Sequence, residues 1–194
     1  MGTIRDLTAD DKWVHMLITN SSLAEMYVYD ILKAKCGADS ESIYRVERAS
    51  EFNEMLELVG MQAYLADRWL FLVNYSKVKS YMRSHKGILD SETACFLITV
   101  KNYADYKEFK ELYPKVNDMY LSLIRESDVG YLLHPFGMSQ KNIEFVSRSY
   151  GRDPDRVFEL VRELREGTKV ETQKDIVGIC GASASSVAHF AMSL

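Results

Sequence analysis

Two uninterrupted apolar runs constrain the fold of this chain most strongly. Residues Trp69–Val73 read WLFLV and residues Cys95–Val100 read CFLITV, without the alternation of apolar and polar residues that a half-exposed strand shows. Runs of this length are typical of parallel strands buried on both faces of a sheet. Parallel neighbours need a crossover connection, which is usually a helix. The sequence between such strands should therefore be helical.

The rest of the first half of the chain follows that alternation. Residues Trp13–Thr19 and Ser42–Glu47 are rich in strand-forming side chains, and Asn20-Ser21-Ser22 can cap a helix that follows. Helical spacing or composition predicts four helices, over Leu23–Lys35, Ser50–Ala66 with Ser50 as N-cap, Lys77–His85 and Asp105–Leu112. Strands that alternate with helices predict an α/β domain with a parallel sheet covered on both faces.

The pattern changes near Tyr113-Pro114, and from Val116 onward only helical periodicity is present. We predict helices over Val116–Ser127, Ser139–Tyr150, Pro154–Arg165 and Thr172–Cys180, with stop signals at Gly137, Gly151 and Gly167. The chain should therefore consist of an α/β domain over residues 1–116 and a small all-α helical bundle over 117–194. Its last apolar stretch has no capping residue, so we expect further chain to follow in the native protein.

Composition narrows the setting in which the chain works. Three cysteines without C-x-x-C spacing suggest neither a disulfide framework nor a zinc cluster, and no run of about 18 apolar residues or signal peptide is present. We therefore expect a cytoplasmic protein that does not enter a membrane. The net charge of −4 argues against a surface that grips nucleic acid throughout, so any DNA contact should be local.

The predicted sheet invites a search for a nucleotide site, and the motifs are missing. Residues Thr19–Ala24 contain no glycine and no Gly-Lys-Ser/Thr, so a phosphate-binding loop is not present. The strand Trp69–Val73 runs into Asn74-Tyr75, where an ATPase would have the acidic pair that holds magnesium. We predict that the chain hydrolyses no nucleotide and needs no cofactor.

Other catalytic or metal-binding patterns are also absent from the sequence. The four histidines are far apart and share no helix face with a carboxylate at metal-ligand spacing, and no G-x-S-x-G elbow accompanies the serines. Cys95 lies inside an apolar strand, where a thiol is usually an inert packing group. We predict no catalytic residue and no metal ligand, and hence a protein that is not an enzyme.

One basic cluster stands out against the acidic background. Lys79, Arg83 and Lys86 fall at i, i+4 and i+7, which would place them on one face of a helix, with Lys77 nearby. Such a face can contact a phosphate backbone. The alternative is an ordinary solvated helix face, and the sequence leaves both readings open.

Three stretches together resemble a known family. They are QAYLADR running into WLFLV, the strand CFLITV followed by YKEFK, and GMSQKNIEFVSRSYGRDPDRVFELVREL. This order is similar to that of the delta subunits of the bacterial DNA polymerase III clamp loader, and the likeness covers nearly all of Trp13 to Leu194. The resemblance implies an AAA+-like (P-loop ATPase-like) domain that has lost its nucleotide loop, followed by a helical domain, without the family's collar domain.

The same resemblance implies a clamp-binding site. In the family, delta subunits open the sliding clamp with an adjacent hydrophobic pair just before the strand that corresponds to Trp69–Val73, and the matching positions here are Tyr64 and Leu65. The family has an aliphatic residue before an aromatic one, and this sequence reverses the order. The residues alone show an apolar patch of Met61, Tyr64 and Leu65 at a predicted helix end, which is typical of an interface. The pair can equally complete the core-facing stripe of that helix.

The resemblance also implies partners: the sliding clamp, the other clamp-loader subunits, and DNA through those subunits or through the local basic face. Two other classes of function stay open. One is an ATPase-dead adaptor or inhibitor that has the same fold and binds another replication protein. The other is an α/β enzyme whose site is not recognised. Binding of a ring-shaped clamp would separate the first reading from the adaptor, and failure to bind any nucleotide would count against the enzyme.

Overall fold

The computed structural model describes residues 4–9, 11–63, 66–121 and 124–181. The chain forms two compact units. The first comprises Met1–Asn20 and Glu25–Tyr120, and the second comprises Ser21–Ala24 and Leu121–Leu194.

The first unit is built on a parallel sheet of five strands. Along the chain these are β1 (Val14–Ile18), β2 (Ile43–Val46), β3 (Trp69–Asn74), β4 (Ala94–Val100) and β5 (Asn117–Tyr120). They lie in the order β2-β3-β4-β1-β5, and every neighbouring pair is parallel. The two apolar runs form β3 and β4 in the middle of the sheet, as the sequence predicts.

A helix connects each strand to the next. The helices are α1 (Ser22–Lys35), α2 (Ala49–Leu58), α3 (Tyr75–Ser84) and α4 (Tyr103–Leu112), and a 3₁₀ helix over Lys86–Asp90 leads into β4. The predicted alternation of strands and helices is confirmed. Parallel strands require such crossovers, because every strand starts at the same end of the sheet and the chain must return to that end before each new strand.

The core explains why β3 and β4 lack polar alternation. Six of the seven residues of β4 are buried, and the rings of Phe71 and Phe96 stack at 5.4 Å across β3 and β4. Phe52 of α2, Val78 of α3 and Phe109 of α4 are fully buried in the same cluster. A central strand covered on both faces has no solvated side, so alternation is lost.

The second unit is helical in its described residues. It contains α5 (Glu126–Leu133), α6 (Gln140–Tyr150), α7 (Pro154–Arg165) and a helical segment over 173–181. Ser139 caps α6 by accepting the amide of Asn142. Gly151 ends α6 at a place where a Cβ would lie 2.5 Å from the carbonyl oxygen of Ser147, so only glycine fits. The predicted fold class, an α/β domain with a parallel sheet followed by a small helical domain, is confirmed.

The predicted helix over Val116–Ser127 is wrong. Residues Asn117–Tyr120 form the edge strand β5, which pairs with β1, and the next helix begins only at Glu126. Pairing with β1 buries Met119 completely, and this tertiary contact overrides the local helical pattern. The first unit therefore runs to Tyr120, four residues beyond the expected boundary at 116, and Ser21–Ala24 groups with the second unit.

The predicted helix over Ser50–Ala66 is too long, and its predicted cap is also wrong. α2 ends at Leu58, and Arg48 rather than Ser50 is its N-cap. The carboxylate of Glu51 accepts the backbone amides of Glu47 at 2.7 Å and Arg48 at 3.0 Å, which satisfies amides at the start of the helix. Residues 59–68 consequently form a long connection between α2 and β3.

Candidate functional site

The α2–β3 loop, residues 59–68, contains the positions for which the sequence predicts a clamp contact. Its first residue is fixed to the framework, because the carbonyl of Val59 accepts hydrogen bonds from the hydroxyls of Ser91 at 2.9 Å and Thr93 at 2.5 Å. Both hydroxyls precede β4, the best buried strand of the sheet. The start of the loop therefore has little freedom to shift.

Met61 is held by its backbone and presented by its side chain. The indole N–H of Trp69 donates to the carbonyl of Met61 at 2.9 Å, and Ala63 nearby is buried. The Met61 side chain is nevertheless 55% exposed. A flexible, polarisable thioether on a fixed backbone is well suited to contact a partner protein.

The end of the loop is fixed as well. The amide of Asp67 donates to the carbonyl of Cys36 at 3.0 Å, and the guanidinium of Arg68 lies 4.0 Å from the ring centroid of Trp13 and donates to the carbonyl of Glu92. A cation over an indole face is a favourable contact. The end of the loop is thus attached to the residues that follow α1 and that precede β1 and β4.

The predicted hydrophobic pair, Tyr64 and Leu65, lies outside the described residues, and its role stays a prediction. The local setting differs from the sequence expectation in one respect. The patch was expected at the end of a helix, whereas α2 ends at Leu58 and Met61 lies in the loop. α2 stops six residues before Tyr64, and both alternatives for the pair, an exposed contact or a part of the core, stay predictions.

The basic residues of α3 contact the chain's own carboxylates. Lys79 lies 3.2 Å from Asp105 and 4.0 Å from Glu108, and Arg83 lies 2.6 Å from Glu108. Both acidic residues belong to α4. We call these four side chains the α3–α4 clasp. It joins two helices that pack beside the same core cluster.

Neutral side chains strengthen the clasp. The Ser76 hydroxyl and the Asn102 amide both donate to Asp105, which is buried, and these bonds together with Lys79 hold the pKa of Asp105 below its usual value. The Tyr75 hydroxyl donates to Glu108 at 2.7 Å and, together with Arg83, lowers its pKa. Both carboxylates are therefore charged acceptors that the fold stabilises.

Lys86 is separate from this clasp. α3 ends at Ser84 and Lys86 begins the following 3₁₀ helix, so the expectation that Lys79, Arg83 and Lys86 share one helix face is wrong for Lys86. The turn at His85 breaks the helical register. Lys77, the remaining cation of the cluster, lies 2.6 Å from Glu47. Contact of Lys79, Arg83 and Lys86 with DNA stays a prediction.

The start of α1 is where a phosphate loop would meet a helix N-terminus. Within the second unit, the Ser21 hydroxyl accepts the amide of Ala24 at 3.0 Å and donates to a carboxylate oxygen of Asp155 at 2.5 Å. The serine thus caps an amide that could otherwise face a ligand. A carboxylate beside a helix N-terminus is stabilised by the helix dipole and repels phosphate.

The described residues contain no group of three or more His, Cys, Asp or Glu side chains arranged to hold a metal ion. His15 is fully buried in β1, and its Nε2 lies 3.0 Å from the carbonyl oxygen of Lys12. Burial lowers its pKa to about 4, so it is neutral near pH 7.

Among the residues that the structure describes, no helix is both long and apolar enough to cross a membrane.

No protein-family model matches the chain, and no curated protein matches it by sequence. Solved structures do. The clamp loader delta protein of Bacillus subtilis is similar with a TM-score of 0.58 and 12% sequence identity, over 90% of this chain and 60% of that one. A DNA polymerase III gamma subunit-related protein of Thermotoga maritima is similar with a TM-score of 0.50 and 7% identity, over 82% of this chain and 56% of that one.

These likenesses establish the fold. The chain shares the fold of these two solved structures, and in this chain a parallel α/β unit is followed by a helical unit. At such low identity, fold similarity does not carry function with it. The chain spans 60% of the length of the first of these structures and 56% of the length of the second.

The acidic residues of the clasp, Asp105 and Glu108, are not among the site residues predicted from sequence. A signal was available, because Asp105 and Glu108 are three residues apart on one predicted helix and Lys79 and Arg83 are four apart on another. Residues at these spacings share a helix face. Two helices that both cover one side of a sheet can bring such faces together, but the packing of α3 beside α4 is visible only in the structure.

Proposed function

We propose that this chain is a non-catalytic, delta-like subunit of a clamp loader, which binds a DNA sliding clamp through its α2–β3 loop and helps to open it during replication. The observation that carries the proposal is the exposed Met61 on a loop fastened at both ends, immediately before β3 of a clamp-loader fold. The hydrogen bonds that hold the backbone of Val59 and Met61 reduce the entropy that these residues lose on binding, which favours association.

The geometry at α1 supports a role without ATP hydrolysis. Ser21 caps the helix itself, and Asp155 places negative charge beside the same helix end. The sequence has no lysine there to balance that charge and no glycine to let the backbone approach a phosphate. The chain would then act through binding energy alone: it contacts the open form of a ring better than the closed form and shifts the equilibrium. Partner subunits would supply ATP hydrolysis.

The direct test measures binding of the purified chain to the sliding clamp of the same cell by surface plasmon resonance. We expect saturable binding that Met61→Ala weakens. Met26, which is 49% exposed on α1, provides a matched control, and Met26→Ala should leave the affinity unchanged. Failure to bind the clamp, combined with capture of another replication protein, would favour the adaptor function instead.

A second measurement tests the absence of catalysis. Isothermal titration calorimetry of the chain with ATP and Mg²⁺ should show no saturable heat. Substituting Asp155→Asn removes the charge beside α1, and it should not create a nucleotide site because the glycine-rich loop is still missing. ATP binding with micromolar affinity by the unaltered chain would contradict the proposal and revive the enzyme reading.

A further inference from the structure

A cleft in the first unit belongs to neither the α2–β3 loop nor the α3–α4 clasp. It has a volume of about 460 Å³ and is formed by three segments that precede strands β1, β4 and β5. Clefts of about 300–1,000 Å³ are typical of ligand sites in proteins. This cleft lies at the amino ends of these strands, whereas the start of α1 follows the carboxyl end of β1.

We call the apolar part of the lining the floor of the cleft and its charged part the rim. The floor is formed mainly by Trp13, Leu89, Leu112, Tyr113 and Val116. The Tyr113 hydroxyl donates to the carbonyl of Met82 at 2.9 Å, so its polar end is already bonded within the core. The floor thus offers carbon surface to an aliphatic or aromatic group.

Lysines dominate the charge at the rim. Lys12, Lys86 and Lys115 line the cleft, together with the two aspartates Asp11 and Asp90. Lys86 and Lys115 are exposed, and within the described part of the chain neither has a carboxylate within 4.0 Å.

Two further cations contact Trp13, which lines the cleft. The Lys35 ammonium lies 4.2 Å and the Arg68 guanidinium 4.0 Å from the ring centroid of Trp13. Asp6 pairs with Lys12 at 3.1 Å and adds one negative charge. Among the residues that line the cleft, three lysines (Lys12, Lys86, Lys115) stand against two aspartates (Asp11, Asp90), which is a net charge of +1 in a chain whose net charge is −4.

We propose that this cleft binds a peptide segment of a partner protein that carries an apolar side chain beside one or two carboxylates. The apolar side chain would occupy the floor formed by Trp13 and Leu112, and the carboxylates would reach Lys86 and Lys115. Apolar burial supplies affinity, whereas complementary charge selects the sequence and speeds association. The site is separate from the proposed clamp contact, so each can fail without the other.

The test uses a fluorescein-labelled hexapeptide, Ala-Glu-Leu-Phe-Glu-Ala, and its partner in which both Glu are Gln. Fluorescence anisotropy with the whole chain should show saturable binding of the acidic peptide and at least about 5-fold weaker binding of the Gln peptide. Lys86→Glu combined with Lys115→Glu should weaken binding of the acidic peptide at least about 10-fold. The matched control, Lys101→Glu combined with Lys107→Glu, changes the net charge equally at exposed lysines outside the cleft and should have less than about a 2-fold effect.

Three results would overturn the proposal. One is the absence of saturable binding up to about 1 mM peptide, a concentration that would reveal even a weak complex. Another is equal binding of the two peptides with no effect of the Lys86 and Lys115 substitutions. The third is binding of free N-acetylglutamate as tightly as the peptide, which would assign the cleft to a small acid. Circular dichroism of each variant ensures that a lost signal does not come from unfolding.

Discussion

The α2–β3 loop and the α3–α4 clasp each contain residues that the sequence predicts to contact a partner, and the two regions differ in how the chain itself bonds those residues. In the clasp, Lys79 and Arg83 already face Asp105 and Glu108 of the same chain. In the loop, the backbone of Met61 is bonded to the framework while its side chain stays 55% exposed. Charge is satisfied internally in one region, and apolar surface is left uncovered in the other.

The difference shows which sequence signals point to a partner. A run of cations is a weak indication of a nucleic-acid contact when the fold can bring carboxylates beside it, because exposed ion pairs form easily and contribute little. An exposed apolar side chain cannot be satisfied by an ion pair within the chain, because only burial removes it from water. Single exposed apolar side chains are nevertheless common on protein surfaces, and Met26 is almost as exposed as Met61. Met61 differs from Met26 in its position, because it lies on the loop that holds the predicted hydrophobic pair.

The largest expected effect concerns the loop. Changing Tyr64→Ala together with Leu65→Ala should weaken clamp binding at least about 30-fold, because truncating a central apolar side chain typically costs about 2 to 4 kcal/mol of binding. The melting temperature should not change if the pair is exposed. Surface plasmon resonance and circular dichroism on the same samples measure the two quantities.

Two other results for the double variant would contradict a contact role for Tyr64 and Leu65. If the double variant unfolds at a much lower temperature, the pair belongs to the core, where removing it would cost about 4 kcal/mol or more of stability. Unaltered clamp binding by a folded double variant would rule out the pair as the contact. Met26→Ala should affect neither quantity.

The next effect concerns the clasp. Asp105→Ala should lower the free energy of unfolding by about 2 kcal/mol, because it removes the buried acceptor shared by Ser76, Lys79 and Asn102. Urea denaturation followed by circular dichroism measures the change.

Glu111→Ala is the control for this experiment. Glu111 lies exposed on the same helix, so its removal should change stability by less than about 0.5 kcal/mol. Equal effects of the two substitutions would mean that the clasp contributes nothing beyond helix propensity, and the contrast with the loop would be lost.

Much of the fold could be predicted from sequence, because burial on both faces is recorded in the composition of β3 and β4. The edge strand β5 could not, since the four residues Asn-Asp-Met-Tyr show no strand pattern and are a strand only through pairing with β1. The end of α2 was also missed. Ser91 and Thr93, which hold the carbonyl of Val59, are more than thirty residues away in the chain.

The candidate site could be predicted only in part, for the same reason. The apolar character of Met61 is visible in the sequence, but its exposure depends on the contact between Trp69 and the loop backbone. The sequence shows that Lys79 and Arg83 share a helix face but does not show what that face meets. Local pattern predicts elements well and contacts between elements poorly.

A smaller effect should appear in the pH dependence of stability. The folded-state pKa values of Asp105 and Glu108 are lowered, chiefly by hydrogen bonds from Ser76 and Tyr75. A lowered carboxyl pKa stabilises the fold above the unfolded value of about 4, and the contribution is lost as pH falls through the folded value.

The unaltered chain should therefore lose stability on acidification below about pH 5 more steeply than a variant with Asp105→Asn and Glu108→Gln. Urea denaturation at several pH values gives both slopes. A control variant with Asp39→Asn keeps the clasp and should retain most of the steepness. Parallel curves for the clasp variant and the unaltered chain would show that these carboxylates titrate alike in the folded and unfolded states.

The smallest expected effect is on DNA binding by an assembled loader. If Lys79 and Arg83 contact phosphates, Lys79→Gln with Arg83→Gln should reduce the slope of log K against log salt by about 1.8, since each contact contributes about 0.9. The ion pairs with Asp105 and Glu108 favour a much smaller change, because cations already neutralised within the chain release few counterions from DNA.

Lys86, which is exposed and outside the clasp, is the comparison, and Lys86→Gln should lower the slope by about 0.9 if it is the local DNA contact. Electrophoretic mobility shifts at several salt concentrations measure the slopes. If the slope falls by about 1.8 for the Lys79 and Arg83 variant while its melting temperature is unchanged, the ion pairs of the clasp must break when DNA binds. In that case, ion pairs within the chain would not prevent a phosphate contact.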